Sequence, residues 1–217
     1  MLVQDCMTRN PISVRPKSDP LAAIALLKSI KVRHLPVVDA DGQVVGLVTQ
    51  NDLELFLSKA PSPGILKRQH RVEQAMTTPV VIVSPNHPLE EAARLMVQHK
   101  ITSLPVVENN RLVGIITETD IFQQFVGILG GQTDAIRLTV RMPDMPGQLA
   151  KTVSAIAGLG GNIRSLVIYR ATGSDCACNI TLWVQDVGRE ELGAIIQSNP
   201  DVELLHIWGG TWVSSSV

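Results

Sequence analysis

Apolar residues change their spacing in a definite order along the first part of this chain. From Leu21 to Leu27, helix-forming residues carry apolar positions three to four apart, the spacing of one helix face. Ser18 or Asp19 is placed to cap that helix, and Pro20 suits its first turn. Leu35-Pro36-Val37-Val38 predicts a short strand, whose proline demands an edge position or the strand's first residue. Asp39-Ala40-Asp41-Gly42 reads as a hairpin turn with Gly42 at positive φ. Val44 to Thr49 predicts a second strand buried on both faces. Asn51-Asp52 then opens a helix over Leu53 to Lys59. Ahead of all these, Pro11-Ile12-Ser13-Val14 reads as a short apolar strand.

The same order then returns. Met7-Thr8, Pro11, Pro20-Leu21, Leu35 to Val38, Val45 to Thr49 and Asp52 are answered by Met76-Thr77, Pro79, Pro88-Leu89, Leu104 to Val107, Val113 to Thr117 and Asp120, at an offset of 68 or 69 throughout. A constant offset over so many positions marks a duplicated unit. In the second copy Asn86 or Pro88 starts the helix, Glu108-Asn109-Asn110 forms the turn, Pro79-Val80-Val81-Ile82 is the short apolar strand, and a helix follows Asp120. Two like units, each with an uncovered apolar face, are expected to pack together with pseudo-two-fold symmetry and clefts where they meet. Between them Ala60 to Gly64 is turn-rich. Lys67-Arg68-Gln69-His70-Arg71 is a basic patch that reads either as a solvated linker or as a positive rim to a phosphate-binding cleft.

Past Gly127 and Gly130-Gly131 the pattern is different. Ala135 to Val140 alternates as a half-buried strand. Met142 to Gly147 is a tight loop, Gln148 to Ala157 an amphipathic helix that Gly158 to Asn162 ends, and Ile163 to Tyr169 a second strand. Ala171 to Ser174 turns into a third strand, Cys176 to Val184. Arg189 to Ile196 is a helix and Val202 to Ile207 a fourth strand. The order β-α-β-β-α-β is that of a ferredoxin-like unit. Such a sheet leaves edges that natural proteins cover, and Leu204 to Trp208 and Ile163 to Tyr169 supply surface for a partner, so a homodimer is expected.

Composition narrows the function classes. A chain of 217 residues that is 45% hydrophobic can fill one large or two modest cores. Lys+Arg 19 against Asp+Glu 20, with no densely basic segment, argues against a nucleic-acid binder. No apolar run reaches the roughly 20 residues a bilayer span needs, and the first residues lack the pattern of a secretory signal. Three cysteines fit a reducing cytoplasm. Cys176-Ala177-Cys178 lacks the spacing and companion ligands of a zinc site and reads as core thiols, so no metal is expected. No nucleophile elbow, P-loop or HExxH occurs, which argues against an enzyme.

With the Leu-Pro-Val-Val pairs and the twin segments Gly46-Leu47-Val48-Thr49-Gln50-Asn51-Asp52 and Gly114-Ile115-Ile116-Thr117-Glu118-Thr119-Asp120, the repeated unit resembles a CBS domain, and the two together a tandem CBS pair. The C-terminal unit resembles an ACT domain, through Asp144-Met145-Pro146-Gly147-Gln148-Leu149 at its first strand-helix turn and Gly161-Asn162-Ile163 entering its second strand. The layout is similar to that of AcuB-type acetoin-utilisation proteins. The fold class implied is α/β and α+β: a tandem CBS pair of β-α-β-β-α repeats, then a ferredoxin-like βαββαβ ACT domain. The domains are repeat 1 over 1–60, a linker over 61–70, repeat 2 over 71–130 and the ACT-like domain over 131–217.

The candidate sites follow. Thr49 and Asp52 put a hydroxyl at a strand end and a carboxylate in the first turn of the next helix, where it can accept two hydrogen bonds from a ribose diol. The same residues make a plain helix cap. The duplication and the resemblance favour ribose and phosphate, and Thr117 and Asp120 have the same standing. The resemblance places Arg33-His34 against the phosphates of a bound nucleotide, with a planar fork of donors in Arg33. The second copy has uncharged Thr102-Ser103 there, so the two clefts are expected to be unequal. It also places Ile12, Ser13, Val80 and Val81 along the purine pocket, with Pro36 and Pro105 beside it, although core packing serves these side chains equally well. Met7 and Met76 read as adaptable packing. In the ACT-like part, amides at Pro146-Gly147 would seat a carboxylate, Asp144 an amino group and Asn162 either end of an amino acid, between two ACT units. A ligand-free turn and helix cap is the competing reading.

Together these imply a cytoplasmic regulatory protein, not an enzyme. An adenine nucleotide such as AMP or ATP, or an adenosyl ligand, would be its regulatory ligand in the CBS cleft. An amino acid or small acid would bind in the ACT dimer, and a regulated enzyme would be the partner, with neither nucleic acid nor membrane involved. The alternative is an unliganded assembly or scaffold protein that regulates a partner enzyme through dimerisation.

Overall fold

Asp19 accepts a hydrogen bond from the Leu21 amide at 3.0 Å, and Pro20 begins the first helix, α1 (Pro20–Ile30). Of the two caps the sequence allows, the aspartate serves, because its carboxylate reaches an amide the helix leaves unpaired. The computed structural model describes residues 1–59, 70–129, 134–170 and 176–209. The chain divides into two compact units, Met1–Gln123 and Gln124–Val217.

The first unit opens with a two-residue strand, β1 (Thr8–Arg9), ahead of α1. The hairpin β2 (His34–Val38) and β3 (Val44–Thr49) follows, then α2 (Gln50–Ser58). The second copy gives α3 (Leu89–His99), the hairpin β4 (Ser103–Glu108) and β5 (Arg111–Thr117), and α4 (Glu118–Ile128). Gly42 has φ +84°, as its turn requires; in the second copy Asn109 and Asn110 take positive φ instead. The helix α2 begins three residues earlier than its apolar pattern suggests, because Thr49 caps it.

The leading segment of each repeat belongs to the other repeat's core. Strand β1 pairs with β5, giving a sheet of order β1-β5-β4, while β2 and β3 pair alone. Val3 is fully buried with Val83, Leu104 and Ile116, whereas Val72 is fully buried with Leu35, Val48 and Leu53. Each such valine contributes about 1.5–3 kcal/mol across the repeat boundary. The hydrogen bonds agree: Thr77 and Leu47 exchange amide-to-carbonyl bonds of 2.8 and 3.3 Å.

Two expectations are corrected. Strand β3 is not buried on both faces: Val44, Val45 and Leu47 are half-buried, because a two-stranded ribbon lacks the neighbours to cover both sides. The segments Pro11 to Val14 and Pro79 to Ile82 are not strands. In the first, only Val14 bridges β2, its amide donating to the Pro36 carbonyl at 3.0 Å; in the second, Val83, just past the segment, bridges β4 and donates to the Pro105 carbonyl at 3.1 Å. Those bonds also place each proline nitrogen on the side away from the hairpin partner, where its missing N–H costs the ladder nothing.

The second unit contains β6 (Ile136–Pro143), α5 (Gln148–Gly158), β7 (Asn162–Arg170), β8 (Ala177–Gln185), α6 (Arg189–Gln197) and β9 (Glu203–Trp208). All pairings are antiparallel, in the order β7-β8-β6-β9. Met142 and Pro143, expected in a loop, extend β6 by pairing with Cys178 and Ala177. Leu138, Val140, Ile180, Leu182 and Val184 meet Ile156, Leu192 and Ile196 of the helices in one core. The other face is polar yet closely bonded. The Thr139 and Thr181 hydroxyls lie 3.1 Å apart, Arg137 donates to Thr139 at 3.1 Å and stacks 5.4 Å over the Trp183 ring, and Arg141 donates to Asn179 at 3.2 Å. Cys178 is buried, which pushes its thiol pKa up, but Cys176 is exposed just before the strand and is not a core thiol. Among the described residues no helix is long and apolar enough to cross a membrane. The turn-rich linker with Lys67 to Gln69 and the turn Ala171 to Ser174 lie outside the described residues.

Candidate ligand-binding site

Each β-strand that ends in threonine hands over to a helix through a closed reciprocal cap. Asp120 Oδ2 accepts from the Thr117 amide at 2.8 Å and from the Thr117 hydroxyl at 2.7 Å, while the Asp120 amide donates back to Thr117 Oγ1 at 3.3 Å. Thr49 and Asp52 repeat the pattern at 2.9, 2.7 and 3.2 Å. The box fixes each carboxylate at a helix N-terminus, where the partial positive charge of the helix favours an acidic side chain. Among the described hydrogen bonds none engages Oδ1 of either aspartate, which leaves that oxygen to accept from a ligand.

A pocket of about 460 Å³ lies against the second box. Its walls are Thr8, Asn10 to Ile12, the Ile30 to His34 turn, Thr102, Ile115 and Thr117 to Asp120, so both repeats build it. Lys31 takes a left-handed conformation with φ 56° to end α1, and this turn carries the chain from the helix into Arg33 and β2. The volume falls within the range usual for small-ligand sites. Ile12 and Val32, both exposed, offer apolar surface beside the cations Lys31 and Arg33. A smaller pocket of about 370 Å³ is lined by Arg33, His34, Thr49, Gln50, Asn51, Glu54, Thr102 and Glu118.

His34 joins the two repeats between these pockets. Its Nε2 lies 3.0 Å from Thr102 Oγ1. Burial first, and the nearby Arg33 charge second, hold its pKa below the ordinary histidine value, so the ring is neutral near pH 7.

The structure therefore brings Ile12, Arg33, His34, Thr102, Thr117 and Asp120 together in the larger pocket, and Thr49 into the smaller one with Arg33, His34 and Thr102. Ser13, Asp52, Val80 and Val81 line neither, and Pro36, Ser103 and Pro105 are buried within their strands. Ser103 Oγ is buried without a hydrogen-bond partner among the described residues. Lys31, Glu54 and Glu118 were not singled out from sequence. A lysine ending a helix just ahead of Arg33 was the available signal for the first of them.

In the second unit Gly147, with φ +89°, caps α5, and Asp144, Met145, Pro146 and Asn162 are exposed. Gln148 is buried and donates weakly to Asp201 at 3.4 Å, while Leu149 and Ile163 pack on the core. Gly161 sits where a side chain would meet Ile156 and Val184, so its role there is close packing of strand against helix.

A model of the CBS domain matches residues 3–59 and 72–127, which is more than half of the chain and contains both Thr-x-x-Asp boxes. The chain belongs to the CBS-domain family. The CBS domain-containing protein YhcV of Bacillus subtilis is 36% identical over 119 residues, 55% of this chain and 81% of that protein. L-aspartate semialdehyde sulfurtransferase of Methanocaldococcus jannaschii is 29% identical over 127 residues, but the chain spans only 23% of that enzyme's length. Solved structures are similar as well, three of them as follows. The CBS pair of MJ0100 in complex with 5′-methylthioadenosine and S-adenosyl-L-methionine is 30% identical with a TM-score of 0.52, over 58% of this chain and 97% of that one. CBSX2 in complex with AMP is 34% identical with a TM-score of 0.51, over 58% and 97%. The Vibrio cholerae protein assigned to acetoin utilization as AcuB is 34% identical with a TM-score of 0.53, over 61% and 95%. These matches support the CBS pair and the adenosyl ligands of its relatives.

Proposed function

We propose that this CBS-domain protein is a cytoplasmic regulator that binds an adenine nucleotide or adenosyl ligand in the larger pocket. The observation that carries the reading is that Asp120, held in its cap, shares one pocket with Arg33 and Lys31. The carboxylate suits a ribose diol, the guanidinium and ammonium suit phosphate, and the Pro11-Ile12 and Val32 surfaces suit a flat base. The crystallised relatives with adenosyl ligands and AMP support the same class of ligand. Because both repeats wall the pocket, a ligand that prefers one arrangement of them shifts its population and alters the surface offered to a regulated enzyme.

The second unit serves as an ACT domain in this reading. Its β-α-β-β-α-β order and antiparallel sheet support the assignment, and the exposed Ile168 and Tyr169 on edge strand β7 support homodimerisation. Asp144 to Leu149 and Gly161 to Ile163 would then meet an amino acid or small acid between two such units. A thermal-shift panel of adenosine, AMP, ADP, ATP, S-adenosylmethionine and amino acids tests both parts. A ligand at 100 times its Kd adds about 2.7 kcal/mol of stability. No shift with any adenine compound rejects the nucleotide reading.

One observation favours the assembly reading instead: the Thr/Asp pairs close their helix caps without a ligand. Under that reading Asp120→Asn alters stability alone, and the adenine panel is silent.

A further inference from the structure

The larger and smaller pockets have four wall residues in common, Arg33, His34, Thr102 and Glu118, and Arg33 is the one cation among them. The larger pocket adds Lys31 and the Asp120 carboxylate; among the described residues the smaller adds Glu54 and no further cation. Glu54 is not fully neutralised elsewhere, since its ion pair with Lys28 at 3.5 Å is solvent-exposed on both sides and so weak. With His34 neutral near pH 7, the smaller pocket without Arg33 presents two carboxylates, Glu54 and Glu118, to whatever enters it.

We propose that the two pockets compete for the single Arg33 guanidinium, so that a phosphate-bearing adenine nucleotide in the larger pocket bars a second phosphate from the smaller one and leaves it to an uncharged or cationic adenosyl ligand. The inference rests on the adenine reading of the larger pocket. A guanidinium grips phosphate through parallel N–H bonds in one plane, so once engaged on one side it cannot present the same fork to the other. Lys31 decides which side wins, because among the described residues only the larger pocket holds a second cation. With the fork engaged elsewhere, the Glu54 and Glu118 carboxylates of the smaller pocket oppose a phosphate by like charge and do not oppose a neutral thioether nucleoside. The Arg33 position differs between the repeats, arginine in one and Thr102 in the other, which is why the described residues of the two pockets offer a single guanidinium to divide. The two sites are therefore coupled with opposite signs for ligands of opposite charge, a free energy that each site must report equally.

Calorimetry on the full chain with AMP and with 5′-methylthioadenosine decides the matter. The expected result is one AMP per chain, with any second AMP weaker by about tenfold or more, a coupling of the usual size. With AMP saturating, one equivalent of 5′-methylthioadenosine still binds. Arg33→Gln weakens AMP severalfold more than it weakens 5′-methylthioadenosine, and Arg33→Lys, which keeps charge but not the fork, falls between. Two AMP equivalents of equal affinity overturn the competition and leave the adenine reading standing. Failure of both ligands to bind overturns that reading, and this inference with it.

Discussion

Met76 packs onto the bare face of Gly46 across the boundary between the repeats. A Cβ on that glycine would lie 2.8 Å from the Met76 Cγ and 3.2 Å from its Cβ. The second copy mirrors it: a Cβ on Gly114 would meet the Met7 Cγ and the Thr8 carbonyl, each at 3.2 Å. The two methionines are the packing residues their sequence positions suggested, but each packs on the repeat it does not belong to.

Gly46→Ala should therefore destabilise the first unit by about 1–3 kcal/mol, the usual range for overpacking. Combining it with Met76→Ala should recover part of that loss, because the two residues are in contact and their effects are not additive. Urea unfolding of the four variants in a cycle measures this. Strict additivity would show that the close approach has no energetic weight.

Asp52 and Asp120 make the same cap but stand differently toward the pockets. Either aspartate changed to alanine should cost about 0.5–2 kcal/mol of stability through the lost cap. Only Asp120→Ala should also weaken AMP, by roughly 1.5–3 kcal/mol for a lost charge-assisted bond, since Asp120 lines the larger pocket. Equal loss of affinity in both variants would place the ligand elsewhere.

His34 sets a pH dependence. Its pKa is lowered on folding, chiefly by burial, so the unfolded chain binds the proton more readily than the folded one. Stability is then fully present above the ordinary histidine range and falls as pH drops through it, toward the lower pKa of the folded state. Denaturation between neutral and mildly acid pH should show this slope in the native chain. His34→Gln should flatten it, and an unchanged slope would remove His34 as its source.

A chain ending at residue 131 should keep a cooperative unfolding transition, since Met1–Gln123 has complete cores of its own. If the second unit drives assembly, sedimentation should show the full chain as a dimer and the shortened one dissociating at higher concentration. A monomeric full chain well above micromolar concentration would end the dimer proposal.

Local features were legible before the structure. The helix and hairpin of each repeat, the Thr-x-x-Asp boxes and the elements of the second unit depend on spacing within a dozen or so residues, and the duplication on one constant offset of 68 or 69. A residue's neighbours on one helix face or across one turn follow from such spacing. Less legible were the Pro11 and Pro79 segments: their apolar runs look like strands, but the first bridges a hairpin through Val14 alone and the second is followed by a single bridging residue, Val83.

Which repeat a segment serves, and which side chains share a cavity, depend instead on contacts remote in sequence. Val3 and Val72 look alike in sequence, yet each completes the other repeat's core, because β1 and the Met76-Thr77 segment cross between the hairpins. That crossing brings Pro11-Ile12 and Arg33 of the first repeat beside Thr117 and Asp120 of the second. The sequence by itself determined a pair of like repeats and placed an arginine at the turn before the hairpin in the first, where the second has Thr102. Only the tertiary structure decided that Arg33 borders both pockets, because the packing of the two repeats sets its turn against the seam between them.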